Sequence, residues 1–407
     1  MSIVFFYPQF KKLTGAERLI LKLASHTARH AGPGQDVVVL THKFAPECAD
    51  AVGPDVRLEE SGWPMQLTHN HYLDAALEYL LGPALALRMP FRELDAVIFF
   101  GPPSVPALWV TRRLLFRLRR ITVPVFYFCF EPPRFIYSDT QDIVSRLGLV
   151  GRIMRPLFTL YREVDRNMVR AAHLVLSNSP YGSGRIEAAY GRRAVVIEHG
   201  VDFPIPSEDV VDNLRTRLGL EGRRIAVTVN HLHPRKRIDL FLKAFARAST
   251  KVENATALVV GGGPERESLE SLAVGLGLVA GESVVFTGAV PESDLPSYYA
   301  LGDVYVHTAR EESFGLSVIE ALRLGLPVVS VDEGGPQSTV QDGKSGFLVE
   351  ATPDALGDSI ATLLRSSHRA KEMGAAGAVF VEENFKWERG AATLLRLVDA
   401  AMARLAR

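Results

Sequence analysis

Two glutamates with seven residues between them, Glu312 and Glu320, are the side chains whose type and spacing point most clearly to chemistry. A glycine turn at Gly315 separates them, and an apolar helical pattern begins near Leu316. Backbone N–H groups at such a helix start attract phosphate or sugar oxygens. A carboxylate accepts hydrogen bonds from paired hydroxyls, so we expect Glu312 to hold a hydroxyl of a transferred sugar and Glu320 to hold a ribose diol. Taken alone, such a pair is more simply interpreted as a capping glutamate and a solvated helix face, so the function depends on the sequence around it.

The elements that must position these residues alternate between short apolar strands and amphipathic helices. The pattern predicts strands at Ile3–Tyr7, Asp36–Thr41, Ala96–Phe100, Val123–Cys129, Leu174–Ser177, Ala194–Ile197, Arg224–Val229, Thr256–Val260, Ser283–Phe286, Val304–Val306 and Pro327–Val331. It predicts helices at Glu17–Arg29, Val105–Arg119, Arg235–Arg247, Glu265–Leu276, Ser293–Ala300 and Ser317–Leu324. The alternation is typical of an α/β fold with parallel, doubly wound sheets covered by helices.

The length of the chain predicts two domains, because 407 residues exceed what one hydrophobic core usually serves. The segment Gly200–Pro206 is too rich in proline to continue a sheet or helix and marks the joint. We therefore predict an N-terminal domain over 1–203 and a C-terminal domain over 204–384. Ligands of open α/β sheets bind beyond the carboxyl ends of the strands, so two facing sheets would form an interdomain cleft as the active site.

Composition is that of a globular protein, with 47% apolar and 23% charged residues. Cys48 and Cys129 lie far apart and favour reduced thiols in a cytoplasmic protein. No apolar stretch reaches the roughly 18 residues of a spanning helix. The formal net charge is zero, and we expect no nucleic-acid partner.

Landmarks on both sides of the glutamate pair occur in a fixed order. They are Asn178-Ser179, His199-Gly-Val-Asp202, Val259–Pro264, Val285–Gly288, Gly325–Ser330, Gly334-Gly-Pro336, Asp342–Gly346 and Phe385-Lys-Trp-Glu388. Together with Glu312, Phe314-Gly315 and Glu320, they resemble the family-4 retaining glycosyltransferases, whose GT-B fold consists of two facing Rossmann-like domains. The match covers most of the chain and is densest after residue 174. It implies that a C-terminal helix within 385–407 crosses back to the N-domain.

The resemblance implies a pyrophosphate grip in the turn from Val229 to Arg237, where relatives use an Arg and a Lys. Lys236 occupies the lysine position, but His231 occupies the arginine position and is largely uncharged near neutral pH. Arg235 or Arg237 would then supply the missing cation, although both also fit solvated residues of a first helical turn. We expect diphosphate binding to depend on pH through His231.

Other donor contacts follow from the same resemblance. Gly15, in Thr14-Gly-Ala-Glu-Arg18, would lie near the donor phosphates, and the loop around Val290 would select the base. The turn after Glu312 would add donor contacts from Phe314, Gly315, Leu316 and Ser317.

The acceptor side of the implied site departs from the family. Relatives frequently place a His facing the donor sugar where this chain has Phe130, and a core aromatic residue is the simpler interpretation of Phe130. Glu131 or His199 could replace the lost polar contact.

The implied activity is that of a retaining hexosyltransferase, with Glu312 and Lys236 as its central residues. Its donor would be GDP-mannose or a UDP-sugar, and its acceptor a glycan, lipid-linked or small-molecule hydroxyl. Front-face attack, with the leaving phosphate as base, would need no cofactor and no metal, and the sequence holds no Asp-x-Asp motif or His/Cys cluster with metal spacing.

Two other functions remain to be weighed. A catalytically inactive sugar-nucleotide or glycan-binding subunit of the same fold is suggested by His231 and Phe130 together. A nicotinamide oxidoreductase is disfavoured, because the first strand is not followed by Gly-x-Gly-x-x-Gly and the glycines from Gly261 to Gly263 have the wrong spacing.

A basic region could bring the protein to a membrane. Residues 101–200 hold 15 Lys and Arg against 7 Asp and Glu, and large apolar residues alternate with arginines in 109–120 and 149–158. Such a surface fits anionic lipid, at the inner face of a membrane, as well as it fits ordinary α/β helices with arginines in water.

Overall fold

The structure of the chain is a computed structural model that describes residues 2–32, 34–62, 71–138 and 148–406, without the side chains of 71–78 and 148–154. Its strands are β1 Ser2–Phe6, β2 Asp36–Thr41, β3 Val56–Glu60, β4 Leu94–Phe100, β5 Val125–Phe128, β6 Leu174–Ser177, β7 Val195–Val196, β8 Arg224–Val229, β9 Ala255–Val260, β10 Val284–Gly288, β11 Val304–His307, β12 Val328–Val331 and β13 Gly346–Val349.

The helices connect successive strands and extend the chain beyond the last one. They are α1 Gly15–His30, α2 Pro46–Asp50, α3 His71–Ala86, α4 Val105–Val110, α5 Phe116–Arg119, α6 Arg134–Tyr137, α7 Gly148–Val169, α8 Pro180–Tyr190, α9 Glu208–Arg217, α10 Ile238–Ser249, α11 Arg266–Gly275, α12 Leu295–Ala300, α13 Leu316–Arg323, α14 Pro336–Thr339, α15 Pro353–Arg365, α16 Ser367–Asn384 and α17 Trp387–Leu405. Short 3-10 turns lie at Pro102–Ser104, Pro234–Lys236 and Glu292–Asp294.

The chain divides into two compact units, which we call unit 1 and unit 2. Unit 1 comprises Met1–Gly200 together with Trp387–Arg407, and unit 2 comprises Val201–Lys386. Helix α17 therefore belongs to unit 1, where its residues Trp387, Leu394 and Val398 are part of the core beneath β1 and α1.

Each unit is built on a parallel sheet with the same strand order. In unit 1 the order is β3-β2-β1-β4-β5-β6-β7, and in unit 2 it is β10-β9-β8-β11-β12-β13. Both begin as 3-2-1-4-5-6, the doubly wound arrangement of dinucleotide-binding folds. The predicted fold class, with two Rossmann-like domains, is confirmed.

Apolar side chains fill both faces of each sheet, as expected for parallel strands covered by helices. Residues of β8, β9, β11 and β12 alternate between two separate clusters of buried side chains in unit 2, and those of β1, β4 and β5 do the same in unit 1. This burial explains why β-branched runs in the sequence predicted most of the strands.

Some elements differ from the prediction. The sequence did not predict β3 and β13, which are short outer strands with half-exposed positions. Residues 111–115 form a π-helical turn inside the helix predicted over Val105–Arg119. The helix predicted from Arg235 begins at Ile238 instead, because Arg237 has a left-handed backbone with φ of 47°.

Candidate active site

The reversal of strand order places two loops of unit 2 side by side. β8 and β11 are adjacent in the sheet although they are far apart in sequence, and the chain leaves them toward opposite sides. Ligands of doubly wound sheets bind at such a point, outside the carboxyl ends of the strands. Lys236 follows β8 and Glu312 follows β11, so this topology explains why they come together.

Lys236 and Glu312 form an ion pair. The Nζ atom of Lys236 lies 2.5 Å from Oε2 of Glu312, and their side chains are 27% and 24% exposed. Burial raises the pKa of Glu312, but the charge and hydrogen bond of Lys236, together with the electrostatic effects of His307 and Arg235, lower that pKa to about 2. The Glu312 carboxylate is therefore ionised at neutral pH, and both side chains of the pair remain partly exposed.

The backbone around the pair is held by hydrogen bonds between the two loops. The Thr308 hydroxyl donates to the Lys236 carbonyl at 2.8 Å, and the Arg310 N–H donates to the Arg235 carbonyl at 2.8 Å. These bonds fix the loop after β8 to the loop after β11, so the ammonium group starts from a defined position.

Arg237, predicted as a substitute cation for the diphosphate, is engaged elsewhere. Its guanidinium forms two hydrogen bonds with the Glu333 carboxylate, at 3.2 and 2.9 Å, and Nε donates to the Thr308 carbonyl at 2.7 Å. Three of its N–H directions are therefore occupied within the protein. The interpretation of Arg237 as a diphosphate ligand is corrected on this ground, and Arg235 is left as the candidate.

Arg235 and His231 lie on the exposed side of the same loop. The positive charge of Arg235 is among those that lower the pKa of Glu312, after the larger effect of Lys236, so Arg235 lies within electrostatic reach of the pair. The His231 ring lies 6.4 Å from the His233 ring. Arg235, Lys236 and His231 thus lie on one loop, and their contact with a diphosphate stays a prediction.

His307, the last residue of β11, was not predicted to matter. It is fully buried near Glu312 and Lys236, and burial lowers its pKa to about 4. Neither ring nitrogen has a hydrogen-bond partner within the described residues. His307 is therefore a neutral group at pH 7 and adds no charge beneath the ion pair.

The turn that begins α13 has the predicted form. Gly315 has φ of 86°, a backbone conformation that side chains disfavour, and α13 starts at the next residue, Leu316. Leu316 and Ser317 are partly exposed in the first turn. The Phe314 ring instead packs against Phe385 at 5.9 Å, so only its backbone can reach a ligand.

Glu320 is more deeply buried than its predicted role suggests. The residue is 3% exposed, and the Tyr299 hydroxyl donates to its Oε2 atom at 2.8 Å. Tyr299 was missed by sequence reasoning. A tyrosine in the apolar face of α12 was the available signal, because a buried tyrosine hydroxyl normally finds a partner.

The loop after β10, predicted to select the base, follows the outer strand of the same sheet. Its Val290 side chain is partly buried against the core of unit 2, and neighbouring Ala289 is exposed. The Gly261 N–H donates to the Gly288 carbonyl at 2.9 Å, which ties this loop to the loop after β9.

Gly15 lies at the start of α1, directly after the loop that follows β1 in unit 1. The residue is exposed, whereas Glu17 is buried and accepts hydrogen bonds from the hydroxyls of Tyr7, at 3.1 Å, and Thr14. These bonds fix the loop that carries Gly15. Because β1 and β4 are the strands at which the first sheet reverses order, this loop also lies at a switch point.

Phe130 and Glu131 follow β5 in the same sheet. The Phe130 ring lies 5.3 Å from the Phe128 ring and is partly buried, as the core interpretation predicted. Glu131 Oε1 lies 2.6 Å from Nε of Arg134 and 3.8 Å from the Arg185 guanidinium. Glu131 therefore presents a carboxylate already neutralised by arginines.

His199 does not fit a role as a sugar contact. It is 4% exposed, its ring lies 5.8 Å from the Trp387 ring, and burial lowers its pKa to about 3. A neutral imidazole inside the core of unit 1 has no surface to offer a ligand, so that expectation is corrected.

Comparison with known proteins agrees with this geometry. The family of glycosyl transferases group 1 matches residues 210–379, which include β8, β11 and the ion pair. A GDP-mannose-dependent alpha-(1-6)-phosphatidylinositol monomannoside mannosyltransferase from Mycolicibacterium smegmatis is 35% identical over 263 residues, covering 61% of this chain and 67% of the relative. The chain belongs to the group 1 glycosyl transferases.

Two further similarities are consistent with this family. A D-inositol 3-phosphate glycosyltransferase from Thermomonospora curvata is 30% identical over 254 residues, covering 58% of each chain. The crystal structure of Anabaena Alr3699/HepE in complex with UDP-glucose has a TM-score of 0.72 at 21% identity, over 98% of this chain and 100% of that one. This group 1 glycosyltransferase therefore has the GT-B fold and resembles mannosyltransferases in sequence.

The described residues include neither a metal-binding cluster nor a membrane-spanning helix. No group of three or more His, Cys, Asp or Glu side chains that could hold a metal ion is found among them. Within the same ranges, no helix is both long and apolar enough to cross a bilayer.

Proposed function

We propose that this chain is a retaining hexosyltransferase that moves a sugar from a nucleotide-diphosphate donor to an acceptor hydroxyl. The observation that carries the proposal is the Lys236–Glu312 ion pair at the switch point of unit 2. An ammonium group beside an ionised carboxylate suits a donor that combines a diphosphate with sugar hydroxyls.

In the proposed reaction, the bond between the anomeric carbon and the diphosphate oxygen breaks, and the oxygen keeps both electrons. Lys236 neutralises the charge that develops there, with Arg235 as a second cation. The acceptor oxygen bonds to the same face of the anomeric carbon, and its proton passes to the departing phosphate. Glu312 orients the sugar through a hydroxyl, and Glu320 binds the ribose diol from the first turns of α13.

Release of Lys236 from Glu312 is part of this proposal. The ammonium and carboxylate groups satisfy each other at 2.5 Å. When the diphosphate binds, Lys236 turns to it, and Glu312 becomes available to a sugar hydroxyl. The low pKa of Glu312 keeps the carboxylate ionised during this exchange. The residues need no metal for these steps, and activity that survives treatment with a chelator is the expected outcome.

We propose GDP-mannose as the donor. Support comes from the relative named as a GDP-mannose-dependent mannosyltransferase, which is 35% identical over 263 residues. The name of that relative also mentions phosphatidylinositol monomannoside, a glycolipid, and this favours a lipid-linked acceptor. We also propose Phe130 and Glu131 of unit 1 as acceptor contacts.

A transfer assay tests the proposal. The protein is incubated with GDP-mannose, UDP-glucose or an ADP-sugar and a panel of lipid and glycan acceptors, and release of nucleotide diphosphate is measured. Proton NMR of the product reports the anomeric configuration. Turnover with retention is expected. Nucleotide binding, detected as thermal stabilisation of about 2.7 kcal/mol at 100 times the dissociation constant, without turnover on any acceptor would favour the inactive binding subunit.

A membrane-facing surface on unit 1 supports the lipid-linked acceptor. Large apolar side chains are exposed on two helices of unit 1, including Leu118 of α5 at 71% and Leu160 of α7 at 62%. Exposed arginines, among them Arg117 and Arg155, lie on the same two helices. Exposed leucines next to arginines fit the boundary between the headgroups and the acyl chains of anionic lipid. The side chains of 149–154, part of the predicted basic segment, lie outside the described residues.

Liposome co-sedimentation tests this surface. The variant Leu118→Ser/Leu160→Ser is expected to reduce binding to vesicles with 30% phosphatidylserine roughly tenfold or more, because each buried leucine contributes about 1.5–3 kcal/mol. Val274→Ser/Val279→Ser, which alters two apolar residues of unit 2 that are 70% and 52% exposed, is the matched control. Equal binding by both variants, or binding independent of phosphatidylserine, would rule out a surface of this kind. A positive result would support peripheral association with an anionic membrane surface.

A further inference from the structure

A second ion pair, between Arg237 and Glu333, lies beside the Lys236–Glu312 pair in unit 2. The side chains are 21% and 33% exposed and form the two-pronged contact of a guanidinium with a carboxylate. Such contacts fix orientation as well as charge. The pair joins the loop after β8 to the loop after β12, which are separated in the sheet by β11.

The backbone at Arg237 is held in an unfavourable conformation. Its φ and ψ of 47° and 46° are left-handed, a region that normally takes Gly or Asn. Glu311 also has a positive φ, of 49°, and directly precedes Glu312. Strained residues persist where surrounding contacts over-determine them, and they cluster at ligand sites. Here each one adjoins a member of the Lys236–Glu312 pair.

The two ion pairs close a ring. Arg237 is bonded covalently to Lys236, and Glu333 precedes Gly334 and Gly335 in the chain. The Gly335 N–H donates to the Glu312 carbonyl at 2.7 Å. A side chain at Gly334 would begin only 2.5 Å from the same carbonyl oxygen, so the two loops lie in contact.

Because of this ring, Lys236 and Glu312 are each attached to one end of the Arg237–Glu333 bridge. Contacts in a closed ring support one another, so the bridge limits how far the two loops can separate. The Lys236 ammonium can leave Glu312 for a ligand while the Lys236 backbone stays in place. The Thr308 hydroxyl holds the Lys236 carbonyl, and the Arg237 guanidinium holds the Thr308 carbonyl.

We propose that Arg237 and Glu333 are positioning residues that hold Lys236 and Glu312 at the correct separation for the donor diphosphate and sugar. Neither needs to touch the substrate. Misplacement of a catalytic group by about an ångström can cost up to about a hundredfold in rate, so the effect is measurable in turnover. This inference rests on the proposed transfer reaction.

Three variants test the bridge. Arg237→Asn keeps a residue that tolerates the left-handed backbone but removes the guanidinium, Glu333→Gln keeps the shape of the side chain without its charge, and the third combines both changes. We expect each single variant to lower kcat about tenfold with a smaller change in donor KM. The double variant should fall no further, because both changes break one bridge. Asp358→Asn, which breaks the surface pair with Lys251 in the same unit, is the matched control.

Kinetics are measured well below the melting temperature of every variant, so that loss of folded protein does not contribute. If the wild type turns over and both single variants stay within twofold of its kcat, the positioning role is refuted while the proposed function stands. If the wild type shows no turnover, the proposed function fails. The affinity for GDP then tests whether the Arg237–Glu333 bridge positions Lys236 and Glu312. A tenfold weaker affinity in Arg237→Asn and Glu333→Gln supports it, and an unchanged affinity overturns it.

Discussion

Both sheets have the same strand order, but the loops at their carboxyl ends differ in the interactions that hold them within each unit. In unit 2, ion pairs and interloop hydrogen bonds join the loops after β8, β11 and β12. In unit 1, aromatic rings fill the corresponding region, with Phe100 lying 5.2 Å from Phe128 and 6.3 Å from Phe130. The difference teaches that one topology can present either charge or apolar surface, depending on the residues that follow its strands.

This contrast fits the proposal that unit 2 binds the donor and unit 1 binds the acceptor. A diphosphate needs cations and a sugar needs carboxylates, and both occur at the switch point of unit 2. Unit 1 offers aromatic rings, a neutralised Glu131 and exposed leucines, which suit a less charged acceptor. Removing charge from unit 2 should therefore impair function most, and changes in the aromatic cluster of unit 1 should chiefly affect stability.

The largest effect is expected from Glu312→Gln. The amide retains the shape but cannot accept hydrogen bonds as strongly as a carboxylate, and it no longer pairs with Lys236. We expect kcat/KM to fall about a hundredfold or more, comparable to the loss of one donor at a developing charge. Steady-state release of nucleotide diphosphate measures it. Asp239→Asn, which breaks the Lys243 pair on α10, provides the control, and equal losses in the two variants would contradict the assigned role.

The sequence contained enough information to predict this part of the site. Glu312, Gly315 and Lys236 lie next to runs of apolar residues whose burial defines the strands, and burial is a local property of the pattern. The Arg237–Glu333 bridge could not be predicted, because it joins residues 96 positions apart and depends on the orientation of two loops. The predicted start of the α10 helix was wrong because Arg237 adopts a left-handed backbone, which side chains other than Gly and Asn rarely take.

Outer strands were the other omission. β3 has the sequence VRLEE, and only its first residue is buried, so it lacks the apolar run that predicted the central strands. Tyr299 belongs to a different class of omission. Its position in a helix was predictable, but its hydroxyl contact with Glu320 depends on how α12 and α13 pack.

The next largest effect is a pH-dependent loss of stability in Lys236→Met. In the wild type, the pKa of Glu312 is lowered from 4.5 to about 2, so the stabilising contribution is complete above pH 4.5 and is lost as the pH falls through 2. Without Lys236, burial raises that pKa, and the ionised carboxylate costs about 2 kcal/mol at neutral pH.

Urea unfolding at pH 7.5 and pH 5 measures this difference. The stability gap between wild type and Lys236→Met should be largest at pH 7.5 and should shrink at pH 5, where the unpaired carboxyl takes up a proton. Lys243→Met in the same unit controls for the loss of a lysine. A gap that is constant with pH would show that Glu312 is not buried against Lys236 in solution.

A smaller effect is expected from Tyr299→Phe. The change removes one hydrogen bond from the buried Glu320 carboxylate, which should cost about 1–2 kcal/mol of stability. If Glu320 binds the ribose, donor KM should also rise severalfold while kcat changes little. Thermal unfolding and kinetics of the same preparation measure both quantities. Tyr298→Phe, one residue earlier, is the control. An unaltered donor KM in Tyr299→Phe would contradict the proposal that Glu320 binds the ribose.

The smallest effect concerns the aromatic end of unit 1. Phe130→Leu removes ring contacts with Phe100 and Phe128, which contribute about 0.5–1.5 kcal/mol. We expect that loss in urea unfolding, with GDP affinity unchanged because the charged groups lie in unit 2. Phe135→Leu, at an exposed ring, should cost less. Weaker GDP binding by Phe130→Leu would contradict the proposal that only the charged loops of unit 2, and not the aromatic cluster of unit 1, bind the nucleotide.

The central claim is that Lys236, paired with Glu312 at the switch point of unit 2, binds the donor diphosphate. Isothermal titration of GDP and UDP into wild type, Lys236→Met and Lys243→Met tests it most directly. The account predicts that the nucleotide bound by wild type binds Lys236→Met at least about tenfold more weakly, a loss of about 1.4 kcal/mol, and binds Lys243→Met as tightly as wild type. Equal affinity of wild type and Lys236→Met would contradict it.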